Sequence, residues 1–152
     1  MAIQITNTTV LSTFSLIRAA ILANATLSPK FTTNDIYQYE PKHKSRSFRG
    51  FPYFLVNIPE TDTEKVVFDN NFTEPALSVN ILMRVGYEAR SNVLNYANAF
   101  LKAIEGYESS FQASGYYDVM VTLDDVDSNI VIDSKELVEA VFTIEFHGSV
   151  AR

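Results

Sequence analysis

The stretch ALSVNILMRVGYEAR, residues 76–90, constrains the fold more than any other part of the chain. Val79, Ile81, Met83, Val85 and Tyr87 fall on one side of an extended backbone. Ser78, Asn80, Arg84 and Glu88 fall on the other, and Leu82 alone breaks the rule. Side chains alternate faces along a strand, so the pattern predicts a long strand with one buried face. The closing segment repeats it, with Val138, Ala140, Phe142, Ile144 and Phe146 set against Glu139, Thr143, Glu145 and His147. Strands of this kind need a second apolar layer to cover them.

That layer is legible as two helices. Val10, Phe14, Ile17 and Ile21 recur at helical spacing, with Leu11 and Leu22 widening the stripe, and predict a helix over about 10–26 stopped by Pro29. Arg18 and Asn24 require a wetter position on it. Ser91 is a candidate N-cap for a second helix carrying Val93, Ala97, Phe100, Leu101, Ile104 and Phe111, with Gly115 suited to its close. Gly106 in its interior costs about 1 kcal/mol relative to alanine and weakens it there. Further strands are predicted at Phe51–Ile58, with Pro52 at its start or on an edge and Pro59 at its end, at Val66–Phe68, and at 116–123, where Val119, Val121 and Leu123 share a face. The expected fold is α+β: a mostly antiparallel sheet with two long helices on one face, in the order α-β-β-β-α-β-β. It forms one domain over 1–152, with long connections at about 28–50 and 124–136.

Composition supports one folded core. The 152 residues are 47% apolar and 20% charged, a globular mixture, and enough chain to bury about two-thirds of its unfolded surface. The absence of cysteine excludes disulfides, zinc-thiolate sites and thiol catalysis. No stretch approaches the roughly 20 apolar residues of a membrane span, so no membrane partner is expected. The run ending in Ala23-Asn24-Ala25 resembles a signal-peptide cleavage region, but it lacks a basic leader and Arg18 interrupts its apolar centre, so it reads as a mature helix.

Few patterns carry chemistry. In DVDSNIVIDSKE, residues 125–136, Asp125, Asp127, Asn129, Asp133 and Glu136 match positions 1, 3, 5, 9 and 12 of a calcium loop. Position 6 demands a left-handed turn, and β-branched Ile130 stands there. A solvated acidic loop joining two strands is the better reading. His43 and His147 lie far apart without a nucleophile or acid at a recognisable spacing, and the five glycines form no phosphate loop. The expectation is a protein that is not an enzyme and uses no cofactor or metal.

The net charge of −6 is unevenly spread. Lys42, Lys44, Arg46 and Arg49 crowd into KHKSRSFRG without an acid, so one loop is cationic and the rest of the chain acidic. With Phe48, Phe51 and Tyr53 beside them, the cations could serve a single-strand nucleic-acid surface. They could equally solubilise a loop before a buried strand. The favoured reading is that the loop meets an acidic protein surface, on another copy or another chain.

The succession of a helix, a basic loop, FPYFLVNIPE, EPALSVNILMRVGY, ARSNVLNYANAFLKAIEG and KELVEAVFTIEFHG resembles the tail terminator and tail-to-head joining proteins of long-tailed bacteriophages over about residues 10–147. The resemblance implies a virion protein, assembled in the host cytoplasm, that forms a homohexameric ring at the tail-head junction. Such a ring caps the tail tube protein, ends tail polymerisation and offers a surface to the head-tail connector protein, while DNA passes through its lumen without specific binding. It also leaves open a head-completion or neck ring, and more remotely a small nucleic-acid-binding module. Lys42, Lys44, Arg46 and Arg49 are the expected interface residues.

Overall fold

A computed structural model describes residues 2–4, 7–46, 48–58, 66–68, 77–113 and 116–148. The chain runs β1 (Ala2–Gln4), α1 (Asn7–Ala23), β2 (Ile36–Tyr37), β3 (Tyr53–Asn57), β4 (Val66–Phe68), β5 (Leu77–Gly86), α2 (Val93–Gly106), α3 (Glu108–Ala113), β6 (Tyr116–Ile132) and β7 (Lys135–Gly148). The fold is α+β, with a five-stranded mixed sheet in the order β2-β3-β5-β7-β6. Only β2 and β3 are parallel; the other neighbours run antiparallel. β1 and β4 pair separately as an antiparallel two-stranded sheet.

The alternation read from the sequence becomes register. Val79 lies opposite Ile144, Ile81 opposite Phe142, Met83 opposite Ala140 and Val85 opposite Val138, while Phe54 and Val56 of β3 flank Met83 and Ile81. All are buried in one cluster with Phe14, Ile17 and Ile21 of α1, Phe100 and Ile104 of α2, and Phe111 of α3. Each fully buried side chain of this size contributes about 1.5–3 kcal/mol, so this face is the main source of stability. A string of rings crosses it: Phe31 to Phe54 at 4.5 Å, Phe54 to Phe100 at 5.2 Å, and Phe100 to Phe142 at 4.6 Å.

Several boundaries differ from expectation for local reasons. α1 ends at Ala23, well before Pro29, because the Asn24 side chain takes over: its Oδ1 accepts the Thr26 and Leu27 backbone N–H groups at 2.9 and 3.1 Å. Its Nδ2 donates to the Ala99 carbonyl at 3.2 Å, which ties α1 to α2. Tyr87 is not on the strand; β5 stops at Gly86, and a 3-10 turn over Tyr87–Asn92 carries the chain into α2, so Asn92 rather than Ser91 precedes the helix. The second helix breaks at Gly106 into α2 and α3, as its low helix propensity favours. Residues 28–50 are not plain connection, since they hold a 3-10 turn at Thr33–Asp35 and strand β2. Pro59 and Gly115, and the side chains of Val10, Leu11 and His147, lie outside the described residues.

The largest correction concerns 124–136, which is not a loop. β6 and β7 run on as a hairpin, with Ile130 opposite Leu137 and Ile132 opposite Lys135. A two-residue turn at Asp133 and Ser134 closes it, both with positive φ (51° and 68°), as the turn that matches the right-handed twist of a hairpin requires. The run Ile130-Val131-Ile132 supplies the β-branched residues that favour this extended form. The backbone of a calcium loop is therefore not formed there.

Candidate functional site

The sheet face away from the helices is polar over most of its extent but covered at one end. There the loop 38–52, between β2 and β3, folds over Tyr53, Arg84 and Glu139, which sit in one cross-strand row. Two tight turns shape it: Ser45 N–H donates to the Lys42 carbonyl and Phe48 N–H to the Ser45 carbonyl, at 2.9 and 3.2 Å. Gly50, at φ 91°, takes a conformation that other residues adopt only with strain before the chain enters β3.

Arg84 is the anchor. The alternation places it on the polar side of β5, yet it is buried, because the loop closes over it. Its Nε donates to Glu139 Oε2 at 2.8 Å, and its Nη1 donates to the Tyr53 hydroxyl at 2.9 Å and to Glu40 of the loop. Burial alone would lower the pKa of the guanidinium; its bonds to Tyr53, Glu139 and Glu40 hold it above the ordinary value. Burial pushes the Tyr53 phenol up to about 12, against the pull of Arg84, so it stays protonated.

His43, expected only to lie in the loop, is a buried hub of it. Its Nε2 is 2.7 Å from the Tyr53 hydroxyl. That hydroxyl also accepts from Arg84; the direction of its bond with Nε2 follows the tautomer of the neutral ring. Nδ1 is buried without a partner. The ring stacks on Phe48 at 4.3 Å and meets Phe51 and Tyr53 edge-on at 5.5 and 5.6 Å. Lys135, at the start of β7, reaches over Phe48 at 5.3 Å.

Burial lowers the His43 pKa, and Arg84 and Lys135 act in the same direction against Glu40 and Asp133. Because the folded value lies below the unfolded one, the stabilisation is complete above the unfolded value of about 6.5 and is lost as the pH falls from there through the lower folded value. Protonation would also place an N–H on both ring nitrogens, including Nδ1, which is buried without a partner. Urea midpoints should therefore fall between about pH 7 and 5.5 in the wild type, and fall less in His43→Asn. Equal slopes in the two proteins would contradict this role.

Of the four cations expected at an interface, the structure separates one from the others. Arg49 pairs with Asp35 at 3.4 Å, and Asp35 also accepts from the Thr32 backbone N–H and hydroxyl, so Arg49 fastens the loop to the start of β2. Lys42, Lys44 and Arg46 are exposed and have no acidic partner among the described residues. Beside Lys42 a cavity of about 240 Å³ is lined also by Tyr37, Pro41, Ser45 and Phe48. The rings considered as stacking platforms engage one another instead: Phe48 lies on His43, and Phe51 on Tyr53 at 5.6 Å. Those three rings are thus engaged within the fold, while Tyr39, also in the loop, is exposed.

Compared with known proteins, the chain matches no family model, no curated protein and no solved structure. Among the described residues no helix is long and apolar enough to cross a membrane, and no group of three or more His, Asp or Glu residues could hold a metal ion.

Proposed function

We propose that this chain is a structural subunit of a bacteriophage tail, forming a hexameric ring that caps the tail tube, ends its polymerisation and carries the interface to the head connector. The resemblance in the order and texture of its segments motivates the reading. The observation that carries it is the loop 38–52, which a buried arginine network fixes to the sheet while Lys42, Lys44 and Arg46 stay exposed, with no acidic partner among the described residues. Ordering a loop costs conformational entropy, and exposed cations with no acidic partner among the described residues suit a surface completed by another chain. The acidic remainder of the subunit suits a lumen through which DNA slides, since like charges repel.

The test is genetic and morphological. In a phage lacking this chain, tails of uncontrolled length and unjoined heads are expected, with normal tails restored when the protein is supplied separately. Tails of normal length joined to full heads in its absence would overturn the proposal.

A further inference from the structure

Strand β6 is one edge of the sheet, and among the described residues its outer side has no backbone partner. It is 17 residues long, well above the usual strand, and three of the exposed large hydrophobic side chains, Met120, Val126 and Val131, lie along it. Interspersed with them are Asp124, Asp125 and Asp127, none of which has a lysine or arginine within ion-pair distance among the described residues. The ladder to β7 shifts register beside these acids, between Leu123 and Asp125 and between Asp127 and Ile130. Exposed apolar side chains on an unpaired edge mark an interaction surface.

The acids restrict the partner. Pairing β6 with β6 of a second copy about a twofold axis would bring aspartates against aspartates, which is unfavourable. A complementary surface is cationic, and the same chain carries one: Lys42, Lys44 and Arg46, which among the described residues have no acid within ion-pair distance, as the β6 aspartates have no cation. We infer that β6 of one copy receives the loop 38–52 of the next, head to tail. Contact between two different patches propagates from copy to copy and closes into a ring when the angle allows. The inference rests on the ring proposed above and assigns the two surfaces that meet in it.

Charge exchange tests it. One variant carries Lys42→Glu, Lys44→Glu and Arg46→Glu, and the other Asp124→Lys, Asp125→Lys and Asp127→Lys, each first checked for a native thermal transition. Assembly on its own and on purified tail tubes is followed by mass photometry and electron microscopy at low and high ionic strength. Wild type should assemble, each variant alone should associate at least about tenfold more weakly, and an equimolar mixture should recover assembly through the reversed pairs. Salt should weaken the wild-type contact and the recovered one alike. Rings from either variant alone, or a mixture no better than its components, would overturn this contact while leaving the ring intact. A wild-type protein that forms no ring in solution or on tubes would overturn both. Retention of nucleic acid by the loop, abolished in the first variant with assembly unchanged, would assign the cations to that ligand and overturn the contact.

Discussion

Arg84→Met should destabilise the protein by about 3–5 kcal/mol, a large fraction of the stability of an ordinary domain. Methionine keeps most of the apolar stem, so the loss isolates the guanidinium. Without it the Glu139 carboxyl group, whose side chain is only 14% exposed, is left without its counter-ion, and the Tyr53 hydroxyl loses its donor. Glu40 is half exposed and can return to water, so it contributes less. Removing Glu139 and the Tyr53 hydroxyl as well should recover part of the loss: Arg84→Met combined with Glu139→Met and Tyr53→Phe leaves no orphaned buried carboxylate, a replacement that is often neutral or better, while His43 Nε2 loses its hydroxyl partner. Urea denaturation of the single and triple variants measures both. A single variant within about 1 kcal/mol of wild type would show that the loop is held by other means. The same substitution should free loop 38–52, which amide hydrogen exchange at 42–49 would register as lost protection.

Phe100→Ala should cost a similar amount, about 3–5 kcal/mol, through a different mechanism. Phe100 is fully buried on α2 and touches Phe54 of β3 and Phe142 of β7, so its ring joins the helical layer to two strands of the sheet. Truncation opens a cavity that rigid neighbours on a sheet cannot close, and the transfer and cavity contributions add. The loss should be insensitive to pH between about 7 and 5.5, unlike the contribution of His43. Calorimetric or denaturant midpoints would check it, and a change below about 1 kcal/mol would mean that the core collapses around the site.

The core was legible because its signals are periodic. Val79 to Val85 and Val138 to Phe146 announced their buried face residue by residue, and Phe14, Ile17 and Ile21 announced theirs. The hairpin over 124–136 was missed because its acids dominate the segment, although Ile130-Val131-Ile132 followed by Asp-Ser carries a strand and turn signal of its own. The anchoring network was missed for a deeper reason. Arg84 sits at a polar position of a half-buried strand, where solvent is the natural expectation, and only a contact with Glu40, 44 residues earlier, makes it interior. His43, amid lysines, shows nothing in its neighbourhood that foretells burial under Phe48 and Tyr53. Long-range covering of a sheet face leaves no periodic trace in the chain. The cationic cluster itself was plain, but not that Arg49 would be used internally while its three neighbours have no acidic partner among the described residues.

The most direct measurement is the stoichiometry of the native assembly. Native mass spectrometry and electron microscopy of the purified protein, alone and with tail tubes, should show a closed ring of six copies with a central hole, seated at the tube end. A monomer at every concentration, together with tube ends that carry no density for this chain, would contradict the view that the protein works through surfaces shared between copies.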